Sequence, residues 1–484
     1  MKKHRLIWMF CLGLILTFQT AMAQKAGSVL IKNATIITVT SDTHENADML
    51  VVDGKIRQIG KNLSAPAGVQ TIDASGKFVL PGIIDAHSHL AINGVNESSS
   101  PVTAEVTMED VINPYDIGMY RALAGGVTAI HQLHGSANVI GGQSETIKLR
   151  YGLTAEELVM KGAPRTIKFA LGENPTRVHG QGNGIQPRTR MGVEQVIRET
   201  FDAARDHKRH RDAYVAAKAE FDRNPRGKTE PAFVARNLRY EVINDILDGN
   251  ILVHCHSYRA DEILMLMRVF NDYGVKNYTF QHILEGFKVA PELAKNGAHA
   301  STFADWWAYK FEVYYASAYN AAVMHNYGVN VSINSDSGEL IRHLNHEAAK
   351  TMKYGNVSRE DALKMITINP AIQMGIDKMT GSLEVGKDAD FAIWSADPLS
   401  VYSICEKTFV DGVVYFDRDN DPDDMRLQIS ATDTFDPANA SESLIGRHID
   451  SCMQDVWNLF EESYLDYSSS FWHRGHFHLN YEDR

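Results

Sequence analysis

The stretch Val79-Leu80-Pro81-Gly82-Ile83-Ile84-Asp85-Ala86-His87-Ser88-His89 decides the reading of this chain. It is an apolar, strand-like run that ends in two histidines separated by one residue. Side chains two apart on a strand leave from the same face, so both imidazoles can reach one cation. His-x-His alone is a weak signal. Here four further strand-like segments follow, ending in Lys168, His254, His282 and Asp336. Polar groups at the ends of successive apolar strands predict a metal site at the mouth of a barrel, the end of that fold where chemistry is done.

Outward from this run, apolar strands alternate with helical patterns. Strands are expected over 78–86, 127–133, 145–149, 166–171, 251–256, 278–283, 299–303 and 329–334, with a helix over 108–124. Such alternation predicts an α/β fold with a parallel sheet, and eight strands predict a closed TIM-like (β/α)8 barrel spanning 81–376. The third strand is the poorest of the eight. The Gly-rich segment 135–142 reads as irregular loop. Between strands four and five the interval is too long for one crossover. Charged amphipathic patterns over 193–207 and 211–221, the second broken by Asn224-Pro225-Arg226-Gly227, predict a helical insertion over 176–245.

Before the barrel lie short β-branched runs at 29–31, 34–39, 49–52 and 56–59, with the hairpin signal Asp53-Gly54 between the last two. After it, Gly381 leads through a turn to a strand ending at Trp394, and a strand pair surrounds Asp411-Gly412. We expect these pieces, 24–80 and 377–418, to join as a small composite β-sandwich domain. Residues 419–484 form a C-terminal extension: an acidic linker, a helix over 441–464, and a tail with Trp472, His473, His476, Phe477 and His478. The tail's spacing fits no regular zinc motif and reads as aromatic packing.

Lys2, Lys3 and Arg5 precede an apolar run at 6–18, and Ala21-Met22-Ala23 supplies small residues at a cleavage position. This predicts a signal peptide over 1–23 and a periplasmic or secreted protein beginning at Gln24. The run is shorter than the ~20 residues a spanning helix needs, so no membrane attachment is expected after cleavage. The formal charge is -12, which argues against nucleic acid as a partner. Cys255, Cys405 and Cys452 remain after processing, too few and too irregular for a disulfide scaffold, although a Cys405–Cys452 bridge is compatible with them. A small-molecule or small-peptide substrate is the expected partner, and assembly with further copies of the chain stays open.

Taken together, the run 81–89 with Ile167-Lys168, Val253-His254, Gln281-His282, Ser335-Asp336, Asn369-Pro370-Ala371 and the segment from Gly381 to Asp390 resembles the amidohydrolase superfamily. The resemblance covers about 28–416 and lies nearest its imidazolonepropionase-like and Xaa-Pro dipeptidase-like members. It implies one or two divalent metals, of which zinc suits the donors. His87 and His89 would hold the first metal, and His254 and His282 the second. Asp336 would bind metal and handle protons.

It further implies cleavage of an amide or peptide C–N bond by metal-bound hydroxide, with Asp336 as general base and then acid. Lys168 would bridge two metals as a carbamate. Glu173, in the turn after the same strand, is the rival bridge. His254 and His256 form a second His-x-His pointing one way. His254 is the expected ligand, and His256 would face substrate or fix a neighbour. Arg188 and Arg190 could clamp a substrate carboxylate, and Trp306 could wall the pocket. The alternative is a mononuclear deaminase or cyclic-amide hydrolase with the metal on His87, His89, His254 and Asp336. A barrel kept only for binding would need none of these residues.

Overall fold

The computed structural model describes residues 26–306, 309–421 and 425–426. The leader, the helix expected over 441–464, the aromatic and histidine tail, and Cys452 lie outside the described residues.

The chain opens with β1 (Val29–Ile36), β2 (His44–Val52), β3 (Lys55–Gly60), β4 (Gln70–Asp73) and β5 (Phe78–Pro81). The two runs expected at the start are one strand, β1, with a register shift after Ile31 where Asn33 takes φ 59°. Asp53 and Gly54 turn β2 into β3 with φ 50° and 71°, the left-handed pair that a two-residue hairpin demands.

The barrel follows: β6 (Ile83–Ser88), β7 (Val127–Gln132), β8 (Ile140–Lys148), β9 (Thr166–Ala170), β10 (Leu252–His256), β11 (Tyr278–Gln281), β12 (His299–Thr302) and β13 (Val331–Ile333). The last strands are β14 (Phe391–Trp394), β15 (Cys405–Val410) and β16 (Val413–Asp417).

The strand expected over 78–86 is two strands in two sheets. β5 pairs with β14, and β6 with β7. Gly82 makes the passage: its N–H donates to Asp390 (2.9 Å) while that of Ile83 donates to Gly126 (2.9 Å). A Cβ at Gly82 would lie 2.0 Å from the Thr128 hydroxyl, so no larger residue fits. The helix expected over 108–124 is also divided, into a single turn at Met108–Val111 and a helix at Ile117–Leu123. Pro114 disfavours helix at Asn113, and Asp116 caps the second piece.

Barrel strands run in spatial order from β6 to β13, and all neighbours are parallel except β8, which is antiparallel to both β7 and β9. The connection from β7 is only 133–139, too short for a crossover to a parallel strand. The segment read as loop therefore supplies strand: Ile140, Gly141 and Gly142 begin β8. The fold is a TIM-like barrel with one inverted strand. Its sheet is nearly closed. At the seam, Asp336 N–H donates to His87 O (3.0 Å) and Ser335 N–H to the Asp85 carboxylate (3.1 Å).

The insertion holds one helix of 34 residues, Arg190–Arg223, instead of two. The apolar pattern lapses around Lys208-Arg209-His210 because that part is largely solvent-exposed, and no breaker interrupts it before Asn224. The segments before and after the barrel share one sheet, ordered β16-β15-β14-β5-β1-β2-β3 with β4 on β1, around an apolar cluster that includes Ile31, Met49, Val79, Phe391 and Phe409. The ammonium of Lys148, at the end of β8, joins this sheet to the barrel through Asp388 (2.8 Å), Asp390 (2.9 Å) and Asp411 (2.6 Å). Among the described residues no helix is long and apolar enough to cross a membrane.

Candidate metal centre

His87 and His89 leave the end of β6 on one face, as the two-residue period requires. The Nδ1 of His89 lies 3.0 Å from the Leu133 carbonyl, and that of His87 3.2 Å from Gln281 Oε1. Oxygens of these kinds only accept, so each Nδ1 carries the proton and each Nε2 offers its lone pair. Both lone pairs face Asp336, with Nε2 to Oδ1 distances of 3.5 Å for His87 and 3.3 Å for His89. Ligand atoms of these three residues all lie within 4.8 Å of one another.

Three more residues join them. His282 Nε2 is 3.9 Å from Asp336 Oδ2. Lys168 is fully buried, and its Nζ lies 3.3 Å from His87 Nε2. The His256 ring packs 4.4 Å from that of His282, and its Nε2 is buried without a hydrogen-bond partner.

His254 lies elsewhere. Its ring is 4.4 Å from His131, and its Nδ1 meets Gln281 Nε2 at 2.9 Å. Both strand-five histidines face the barrel interior, but residues two apart on a strand are ~6.6 Å apart along it, one layer deeper in the barrel. His256 thus lies beside His282, and His254 lies beside His131 and Gln281.

The imidazoles are held neutral. Burial, reinforced by the Lys168 charge, takes His89 to about 3 and holds His87 and His282 well below the usual histidine range. Burial does the same for His256, with His282 and Lys310 adding to it. Neutral imidazole is the form that binds a cation. Burial lowers Lys168 to about 8, against the opposing pull of Asp336. Burial also raises Asp85, beneath His87, to about 7, although Ser335 hydrogen-bonds its carboxylate. Four neutral imidazoles near a carboxylate, with His256 Nε2 and His282 Nδ1 buried and unpartnered, fit a borderline cation such as Zn²⁺. The other carboxylate cluster, Asp388, Asp390 and Asp411, already surrounds the Lys148 ammonium.

The remaining sequence candidates lie at the rim or away from it. Glu173 sits 3.5 Å from the Lys310 ammonium. Arg190, at the start of the long helix, pairs with Glu262 (3.3 Å) and Glu312 (3.0 Å). Arg188 is exposed and donates to the Gly184 carbonyl (2.7 Å). Trp306 is partly buried against Phe303 and Tyr309.

Sequence reasoning missed the residues that wall the site. Tyr258 stacks on His282 at 4.7 Å, Phe303 at 5.7 Å, and Lys310 lies 4.4 Å over the Tyr258 ring. Gln281 touches both His87 and His254. Its place immediately before His282, at the tip of an otherwise apolar strand, was the available signal.

Comparison with known proteins bears on this geometry. The amidohydrolase family profile matches residues 317–419. A crystal structure of an amidohydrolase from Thermotoga maritima MSB8 is 34% identical and superposes with a TM-score of 0.72, covering 81% of this chain and 100% of that one. Amidohydrolase tasK of Hapsidospora irregularis is 29% identical over 429 residues, covering 80% of this chain. This chain spans only 43% of that relative's length. Imidazolonepropionase of Thermoplasma volcanium is 24% identical over 395 residues, covering 78% of this chain and 92% of that one.

Proposed function

The chain belongs to the amidohydrolase superfamily, and on that premise we propose that it is an exported, metal-dependent hydrolase that cleaves a C–N bond of a small amide or peptide. The convergence of His87, His89, Lys168, His256, His282 and Asp336 at one end of the barrel carries this reading. These residues would hold one or two divalent cations, with Lys168 between them as a carbamate. When bound, such a cation polarises the scissile carbonyl and lowers the pKa of water to ~7.

The chain's own groups do the rest. The Asp336 carboxylate accepts the proton of the attacking water and passes it to the leaving nitrogen. His87 and His89 are held in one tautomer by their Nδ1 partners, so no reorientation is needed. Tyr258 and Phe303 pack on the His282 ring and shield it from bulk water. Lys168, at 3.3 Å from His87, is the better-placed bridge, since the Glu173 carboxylate is engaged by Lys310.

The likeness to imidazolonepropionase over 78% of the chain favours a second reading, a mononuclear deaminase or cyclic-amide hydrolase. A screen of dipeptides, N-acyl amino acids and cyclic amides with the zinc-loaded protein separates the two. Turnover of the linear amides is expected, and turnover of cyclic amides alone would replace the first reading by the second. Export rests on the leader at 1–23, and N-terminal sequencing of the mature protein should begin at Gln24.

A further inference from the structure

We propose that Gln281 is a positioning residue, and that its side-chain amide sets the tautomers of two histidines, one at the metal centre and one beneath it. The inference rests on the metal reading above only for its consequence, not for its geometry. Gln281 is fully buried at the tip of β11. Its Nε2 lies 3.2 Å from the Ala86 carbonyl and 2.9 Å from His254 Nδ1, and its Oε1 lies 3.2 Å from His87 Nδ1.

The Ala86 carbonyl can only accept. It therefore fixes the amide with its NH₂ toward Ala86 and His254 and its oxygen toward His87. An amide NH₂ only donates, so His254 Nδ1 accepts and the His254 proton sits on Nε2. An amide oxygen only accepts, so His87 Nδ1 carries the proton and Nε2 keeps its lone pair. That lone pair is the one directed at Asp336 and Lys168.

Two consequences follow from one amide. His254 has spent its only lone pair on Gln281 and has none for a cation, although the family resemblance implied it as the strand-five ligand. His87 presents its lone pair to the site without a tautomer change, which a cation would otherwise have to induce. Such orienting partners are commonly worth about 10–100-fold in metal affinity.

The test uses the full chain labelled with ¹⁵N-histidine and Zn²⁺ as the probe. In metal-free wild-type protein, long-range ¹H–¹⁵N correlation should show His87 protonated at Nδ1 and His254 at Nε2. Gln281→Leu should leave His87 as a tautomer mixture and lower zinc affinity by about 10–100-fold in chelator competition. Gln281→Glu, which keeps an acceptor for His87, should restore most of that affinity. The proposal is overturned by His254 protonated at Nδ1 in the wild type, or by a Leu variant with His87 unchanged and affinity within about twofold. If the Leu variant does not fold, the wild-type tautomers decide alone. A wild-type chain that takes up no divalent cation would defeat the metal reading instead, leaving the tautomers to be judged by the spectra.

Discussion

His282 and Asp336 meet with Nε2 and Oδ2 3.9 Å apart, and both do so from left-handed backbone, at φ 37° and 44°. Left-handed backbone costs a non-glycine residue ~1–2 kcal/mol. At His282 it has a visible use. Gln281 faces the barrel interior, so regular alternation would send the next side chain outward. The turn at His282 breaks the alternation and brings two consecutive side chains to the same site. Strain kept at the ends of two barrel strands, where the ligand set gathers, is what a preorganised centre requires.

Asp336→Asn tests the proton carrier without disturbing that backbone, because asparagine tolerates φ above zero well. Turnover should fall by about 10²–10⁴-fold while the unfolding midpoint stays within experimental error. A variant that keeps wild-type kcat would remove Asp336 from the mechanism.

The strand-five histidines should separate cleanly. His256→Ala should cost about one equivalent of bound zinc after dialysis, or a comparable loss of affinity. His254→Leu should keep its full metal content, with affinity reduced no more than about tenfold through Gln281. The opposite pattern would favour His254, the ligand that the family resemblance implied.

That pair also shows what a sequence can carry. The face of a strand is legible from the two-residue period, and an apolar run overlapped each of the eight barrel strands, although the first run is split between two sheets and β8 begins inside a segment read as loop. Depth along the barrel is not legible, because His254 and His256 share a face and differ only in how far β10 extends. Inversion of β8 was equally hidden. Its glycines argued for loop, and only the shortness of 133–139 spoke for a turn back. Gln281 carries no motif, and its role exists only once Ala86, His87 and His254 are neighbours in space. Lys148 and its carboxylates are more than 200 residues apart in sequence, and nothing local marks them as a pair.

Lys148→Met should be severely destabilising. It would leave Asp388, Asp390 and Asp411 facing one another with Arg150, paired to Asp411 at 2.8 Å, and the half-exposed Lys55, paired to Asp388 at 2.5 Å, as the remaining cations. Breaking a buried pair from one side costs about 3–5 kcal/mol. The loss should shrink as pH falls and the Asp390 carboxyl, which burial raises above its ordinary value, takes up a proton. A denaturant midpoint equal to wild type at pH 7 would mean the sheet is held to the barrel by apolar packing alone.

Glu262 gives a pH dependence of the fold. Burial, with Glu312 nearby, raises its carboxyl to about 7 against the opposing Arg190 charge. The native state then holds a proton that the unfolded chain releases above its ordinary value of 4.5. Stability should decline as pH rises from about 4.5 to 7, and level off above that. Glu262→Gln should flatten this slope, raising the melting temperature at pH 8 relative to wild type and leaving it nearly unchanged at pH 4. Parallel profiles for the two proteins would show that Glu262 titrates alike in the folded and unfolded chain.

Lys168 decides the metal count. Burial lowers its ammonium to about 8, so a substantial neutral fraction exists at pH 8 to 9. The neutral amine can attack carbon dioxide, forming an N–C bond and releasing one proton, and the resulting carbamate offers two oxygens to two cations. Reconstitution with zinc and bicarbonate at pH 8.5 should therefore bind close to two equivalents per chain, and Lys168→Ala close to one. The intact mass of the loaded protein, measured without acid, should exceed that of the acid-treated protein by the mass of the bound zinc plus one carbon dioxide. One equivalent in both proteins, with no mass change, would favour a mononuclear centre in which the 3.3 Å approach of Lys168 to His87 serves only to keep the imidazole neutral.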